Sequence, residues 1–356
     1  MPHPALRTRL CEQLGIAAPI VQTGMGWVAG AGLTAATANA GGLGILASAT
    51  LDLAELADAI AKVKSRTARP FGVNMRGDSP DGIARVELML REGVRVASFA
   101  AAPNEALIKR CKDAGLYVIP SIGARRHAEK VQAWGVDAVI VQGAEAGGHV
   151  GQVPTSVLLP QVVDAVEIPV IAAGGFFDGR GLVAALAWGA AGIAMGTRFL
   201  MTSDSRVPER VKQLYLAADV NGTVVTRKVD GHPHRVLRTP FVERLERTPT
   251  ALALPRALGN ALRFQRLSRT PWRDLLRTAL AIRREEGLSW SQVLQSANTP
   301  MLLRRTMVEG DTDAGVAASG VVSGVLDDLP SCKELIERIL REAEDTLARL
   351  GAGPPR

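Results

Sequence analysis

Cysteine is scarce: Cys11, Cys111 and Cys332 are the only three in 356 residues, far apart and with no Cys-x-x-Cys. That excludes a disulfide scaffold and a thiolate zinc site, and it fits a reducing compartment. Aromatic residues make up only 4% of the chain. Basic residues are therefore not interleaved with stacking platforms, which argues against nucleic acid as a partner. No stretch of about 18 uninterrupted apolar residues occurs, so no membrane span is expected. The opening Met1-Pro2-His3-Pro4-Ala5-Leu6-Arg7 lacks a basic segment followed by an apolar run. The expectation is a cytoplasmic, soluble protein without a secretory leader. Also missing are H-E-x-x-H, a carboxylate cluster at metal-ligand spacing, G-x-S-x-G, a Walker lysine, and any lysine at a strand end that could form a Schiff base.

Hydrophobic residues reach 47% and charged residues 22%, enough to build a large core and to exclude disorder. The length permits two or three small domains, or one large barrel with an insertion. From residue 19 to 200 one unit recurs: a short apolar run, a Gly-rich turn, a helical stretch. The runs are Pro19–Thr23, Leu43–Ala47, Phe71–Met75, Val94–Ala100, Leu116–Ser121, Ala138–Gln142, Pro169–Ala173 and Ile193–Gly196. Helical stretches between them include Leu53–Lys64, Asn104–Ala114, Ala124–Trp134 and Gly179–Ala190. Short, almost wholly apolar runs suit parallel strands covered on both faces. Eight such alternations predict an α/β fold of the (β/α)8 TIM-barrel type. A doubly wound sheet is the rival. The first turn does read Gly24-Met25-Gly26-Trp27-Val28-Ala29-Gly30, but the second run ends Leu46-Ala47-Ser48-Ala49-Thr50, with no acid to hold a ribose.

Beyond Arg206 the pattern changes. Gly222–Lys228 and Arg235–Leu237 read as short extended segments around an Asp230-Gly231 turn. Phe241–Leu303 is helical in character, broken at Pro249, Pro255 and Pro271, with an apolar stripe over Asp274–Arg284 and with Trp272 and Trp290 expected in a core. The expected division is a barrel over 1–220, a mainly helical, Arg-rich inserted domain over 221–305, and a return to the barrel with a C-terminal helix over 306–356. In the last part Ala314–Gly324 is small and Gly-rich, and Ser331 with Glu334 forms a capping box. Residues 235–305 hold fourteen arginines, no lysine and five acidic residues. An arginine-only bias suits bidentate recognition of phosphate or carboxylate; it equally suits the solvated face of surface helices.

Barrel enzymes carry their sites at strand C-termini. The first run ends Gln22-Thr23-Gly24-Met25-Gly26, where glycines admit a flat ligand to the backbone or simply form a tight turn. Asn74, closing the third run, offers a donor and an acceptor to a heterocycle, or caps the next loop. The sixth run passes into Gln142-Gly143-Ala144-Glu145-Ala146-Gly147-Gly148-His149. Of five histidines only His149 falls at a catalytic-face position; His127 sits on a helix and His232 and His234 flank a turn. With an ordinary pKa near about 6.5 it can act as a general base at neutral pH, or be a loop histidine satisfied by carbonyls. Gly174-Gly175 after the seventh run and Gly196-Thr197 after the eighth lie one β-α unit apart, as in a barrel phosphate cradle; structural turns are the alternative. Phosphate, flat ligand and base without a metal imply an organic redox cofactor.

These motifs together resemble the nitronate monooxygenase family (formerly 2-nitropropane dioxygenases), FMN-dependent barrel enzymes. The matching pieces are Thr23-Gly24-Met25-Gly26, Gly41-Gly42-Leu43-Gly44-Ile45-Leu46, Gly72-Val73-Asn74, Gln142 through His149, Ala172-Ala173-Gly174-Gly175 and Met195-Gly196-Thr197-Arg198-Phe199. The resemblance implies FMN held by Gly24, Met25, Gly26, Asn74, Gln142, Gly147, Gly148, Gly174, Gly175, Gly196 and Thr197, with Gly175, Gly196 and Thr197 at its phosphate, His149 as base and no metal. Longer stretches, Val21–Gly30, Gly174–Gly181 and Leu326–Cys332, resemble an actinobacterial subgroup associated with steroid ring C/D degradation, whose substrate is a CoA thioester of a bicyclic ketone. The implied reaction is α,β-dehydrogenation of such a thioester, a small-molecule substrate, with arginines of 235–305 on the CoA phosphates. Neither nucleic acid nor a membrane is expected as a partner, and homo-oligomerisation stays open. Nitronate oxidation with O2, flavin-dependent enoyl-thioester reduction and a non-catalytic flavin-binding barrel are the alternatives.

Overall fold

The computed structural model describes residues 3–77, 79–100, 103–247, 280 and 298–352. Strands β1 (Ile20–Gln22), β2 (Leu43–Ala47), β3 (Phe71–Met75), β4 (Val96–Phe99), β5 (Tyr117–Ile122), β6 (Val139–Gln142), β7 (Gly148–His149), β8 (Val170–Ala173) and β9 (Gly192–Met195) follow one another through the first 200 residues. All but β7 form a closed parallel barrel, in which β9 returns to pair with β1. Each barrel strand falls on one of the eight runs legible in the sequence. Helices lie between them, among them Leu53–Lys64, Glu105–Asp113, Arg125–Ala133 and Gly179–Ala187.

The pleat sorts each strand between two cores. Val21, Leu43, Ile45, Val96, Ile119, Ile140, Ile171, Ala173 and Ala194 fill the barrel interior, joined by Leu10, Cys11 and Leu14 of the short helix Arg9–Leu14. The alternate residues, such as Val73, Met75, Val139, Val141, Val170, Ala172 and Ile193, pack outward on the helical layer. Both faces of the barrel strands are thus largely dry, which is why the runs show no polar alternation.

The sequence after the barrel behaves in two ways. Strands β10 (Thr223–Thr226) and β11 (His234–Leu237) form an antiparallel pair, and β11 also takes β7, giving a sheet ordered β10-β11-β7. The two extended segments expected around Asp230-Gly231 are therefore real, but they reach back to the loop after β6. Helices Pro240–Arg247 and Asn298–Met307 follow. Trp272, Trp290 and nearly all of the Asp274–Arg284 stripe lie outside the described residues. The chain then returns: Ala318 bridges Val236, and Val321–Val325 forms a 3-10 turn beside the barrel. The final helix, Cys332–Gly351, opens on the expected Ser331–Glu334 capping box and docks on Gly179–Ala187, where Glu342 Oε2 accepts the Gly179 N–H at 2.8 Å. The buried Arg198 guanidinium ties this end down, 3.0 Å from Asp328 Oδ1.

Candidate active site

The same pleat that buries Gly72 and Ile140 inside the barrel puts Asn74 and Gln142 on the interior face at the strand C-termini. Asn74 is nearly buried, and its Nδ2 donates to Ser98 Oγ across 3.3 Å, so the amide is turned toward β4 at the barrel mouth. The Asn74 backbone carbonyl accepts the Ser48 hydroxyl at 2.8 Å. Gly24 crosses directly over it: a Cβ at 24 would fall 2.3 Å from Asn74 Cβ. A side chain at 24 would thus displace the amide.

On the opposite side of the mouth, Gly174 and Gly175 carry φ of +98° and +88°, a left-handed pair that side-chain-bearing residues adopt only with strain. A Cβ on Gly174 would meet Thr155 Oγ1 at 3.1 Å, while Glu145 lies beside Gly175. Neighbouring Gly196 precedes the short helix Thr197–Leu200 and is roofed by Thr23 and Met25. Among the described residues the N–H groups of Gly174, Gly175, Gly196 and Thr197 meet no protein acceptor. Four free amides at one rim form a cradle that fits a phosphate. The Thr197 hydroxyl accepts the Gly320 N–H at 2.9 Å, and Gly320 with Ser319 packs where a Gly147 side chain would be. Gly147 therefore serves close packing of the returning segment. Gly26 faces only Thr50, in ordinary contact, and Gly148 pairs with Arg235.

His149 sits on β7 opposite His234. Gln142 Nε2 donates to the His149 carbonyl at 2.6 Å, linking the barrel mouth to the histidine's backbone. The His149 side chain is 57% exposed, yet its Nε2 lies 2.7 Å from Oδ2 of Asp230, which is only 3% exposed. The same oxygen accepts the Thr299 hydroxyl at 2.6 Å, and Oδ1 accepts the His232 N–H at 3.1 Å. Burial alone would raise the Asp230 carboxyl. The His149 bond, the approach of His234, the His149 charge and the Thr299 hydroxyl outweigh it and hold the group far below the usual carboxylate range. The His234 ring lies 4.6 Å from that of His149, tilted by 52°, with Nδ1 3.6 Å from Asp230 Oδ2, longer than a hydrogen bond. Burial pushes His234 down, against the pull of Asp230 and with the help of charge on His149. His149, Asp230 and His234 bring one potential ligand atom each within 4.8 Å. Both Asp230 oxygens are already engaged by protein donors, His149, Thr299 and the His232 N–H, whereas neither ring nitrogen of His234 has a hydrogen-bond partner among the described residues.

The model of the nitronate monooxygenase family matches residues 7–85 and 78–342. The chain belongs to that family. It is an oxidoreductase, as are the other members named here, and the family consists of flavin enzymes. Two relatives share the name (3aS,4S,5R,7aS)-5-hydroxy-7a-methyl-1-oxo-octahydro-1H-indene-4-carboxyl-CoA dehydrogenase. The one from Mycobacterium tuberculosis is 64% identical over 341 residues, covering 95% of this chain and 96% of the relative. The one from Rhodococcus jostii is 57% identical over 347 residues, covering 98% of each. Among solved structures, FabK from Thermotoga maritima superposes with a TM-score of 0.80 at 36% identity, covering 97% of this chain and 99% of its own. No helix among the described residues is long and apolar enough to cross a membrane.

Four members of the His149 cluster, His232, His234, Asp230 and Thr299, do not read as site residues in the sequence alone. His232 and His234 looked like turn neighbours, and the structure corrects the idea that His149 stands alone: both rings lie beside it, His232 edge-on at 5.9 Å. Asp230 reads only as part of the Asp230-Gly231 turn, and Thr299 has no local signal. The available signal was Asp230-Gly231-His232-Pro233-His234, two of the five histidines within four residues of one acid. Several arginines of the basic segment are also already engaged. Arg235 holds the Ala144 carbonyl and Thr223, Arg305 the Ala314 carbonyl, and Arg304 pairs with Glu309.

Proposed function

We propose that this protein is an FMN-dependent α,β-dehydrogenase of a CoA thioester carrying a bicyclic ketone, the substrate class in the names of two of its relatives. The observation that carries the reading is His149: half-exposed, tied to a buried carboxylate and to Gln142 at the barrel rim. An imidazole so placed can remove the proton that the thioester acidifies. Bound FMN would supply the two-electron acceptor for the hydride of the neighbouring carbon, leaving a conjugated double bond in the substrate. The cradle of Gly174, Gly175, Gly196 and Thr197 would hold the FMN phosphate. Asn74 and Gln142 would face the ring system and ribityl chain, with Gly24, Met25 and Gly26 forming the lid of the same space and Gly147 and Gly148 shaping its wall.

In this reading the chain over 221–305 is an insertion that serves the substrate. Its arginines would meet the CoA phosphates. Arg238 and Arg247 are exposed and suited to that task, whereas Arg235 is committed to the protein. The decisive experiment is anaerobic mixing of the flavin-loaded enzyme with the bicyclic CoA thioester, followed at the flavin absorbance. Bleaching by the thioester supports dehydrogenation. Bleaching only by alkyl nitronates would replace this reading with nitronate oxidation, and bleaching only by a reduced nicotinamide, reversed by an enoyl thioester, with enoyl reduction. Replacing His149 by Ala should keep the flavin and lower turnover by roughly 10²–10⁴-fold.

A further inference from the structure

We propose that Asp230 is a positioning residue that fixes the tautomer of His149, keeping the ring proton on Nε2 and leaving Nδ1 as the atom that receives the substrate proton. This rests on the reading of His149 as the base, and it names the nitrogen and the group that selects it.

The argument begins with donors and acceptors. An ionised carboxylate can only accept. Asp230 is nearly buried, takes the Thr299 hydroxyl and the His232 N–H, and still lies 2.7 Å from His149 Nε2. That contact is a hydrogen bond only if Nε2 carries the hydrogen. In the neutral ring the lone pair is then on Nδ1. Because Nε2 is turned to a carboxylate that solvent hardly reaches, the exposed part of the ring is the part away from Nε2.

The backbone leaves little freedom for the alternative. Gln142 holds the His149 carbonyl, and the β7–β11 pairing sets His149 opposite His234. The groups facing the imidazole are Asp230, His232 and His234, and only Asp230 bears a negative charge. When Nδ1 takes a proton, the imidazolium that results is paired at once with a carboxylate already in place. His234, kept neutral by its burial, adds no competing charge. The role matches the general one of a buried carboxylate behind a catalytic histidine, which orients the ring and stabilises its cation without itself taking the proton.

The test reads the tautomer directly. In the flavin-loaded protein with 15N-labelled histidine, the His149 resonances, assigned by their loss in His149→Ala, should show Nε2–H and unprotonated Nδ1 in the neutral ring. Asp230→Asn should move the proton to Nδ1 or mix the two forms. It should keep the flavin, lower kcat for the bicyclic CoA thioester by about 10- to 10⁴-fold, and shift the acid limb of kcat/KM to lower pH. Asp230→Glu should restore part of both. Nδ1–H in the unmodified protein overturns the proposal even if the Asn variant does not fold. An Asn variant with unchanged tautomer and unchanged pH profile overturns it as well. Undiminished turnover of His149→Ala alongside the Nε2–H signal would instead sink the base reading while leaving the tautomer assignment standing.

Discussion

The indole of Trp27 donates from Nε1 to the Pro300 carbonyl across 2.9 Å, binding the loop after β1 to the helix Asn298–Met307. Trp27 has φ of +65°, unusual for a bulky side chain, and the Arg304 guanidinium lies 5.9 Å from its ring. The loop that carries Gly24 and Met25 is thereby joined to the helix that supplies Thr299 to Asp230. Trp27→Phe should cost about 1 kcal/mol, the worth of one hydrogen bond. Trp27→Ala should cost more, because the ring contacts go too. Urea midpoints of the two variants decide it; equal losses would mean that the ring contributes nothing.

The phosphate cradle makes a graded prediction. Alanine at 175 finds room, since Glu145 Cβ is 3.8 Å away, but must hold a left-handed φ at a cost of about 1–2 kcal/mol. Alanine at 174 adds a collision with Thr155 Oγ1, Ala146 N and Gly143 O at 3.1–3.2 Å. FMN should therefore bind roughly 5- to 30-fold more weakly to Gly175→Ala, and more weakly still to Gly174→Ala. Fluorescence titration of the apoprotein with FMN measures both. The reverse order would remove this account of the rim.

Buried His234 gives a pH signature in stability. Its folded pKa lies below the ordinary 6.5 because burial disfavours the cation. Above pH 6.5 neither state gains a proton and the contribution is whole; as pH falls below 6.5 the unfolded chain takes up a proton that the fold refuses, and stability drops. The slope from this residue is at most about 1.4 kcal/mol per pH unit. Denaturation between pH 7 and 5 should show a steeper loss in the unmodified protein than in His234→Phe. Identical slopes would assign the burial penalty elsewhere.

All three cysteines are buried and free. Burial pushes the Cys111 thiol up to about 11 and that of Cys332 up to about 12, so neither is a thiolate at neutral pH. A thiol reagent should leave the native protein unlabelled and find three thiols after denaturation. Rapid native labelling of one would expose a local opening.

The Gly174→Ala and His234→Phe predictions were not equally legible in the chain. Gly174-Gly175 and Gly196-Thr197 could be read from the string because a parallel barrel repeats one local unit. Apolar run, glycine turn and helix each obey nearest-neighbour physics, and closing eight of them in order fixes which strand ends meet. Asn74 stands out as a polar amide closing an apolar run, whereas Gln142 comes only with the family resemblance. His149 could be named, but its chemistry could not. Asp230 lies 81 residues further on, Thr299 69 beyond that, and nothing local sets Gly148–His149 beside His234. That pairing is an antiparallel contact between distant segments, decided by long-range packing. Sequence alone therefore determined the barrel and the rim of its mouth, whereas the tertiary structure decided the partner, the protonated nitrogen and the neutral neighbour of the histidine, because a side chain's electrostatics depend on what surrounds it in space.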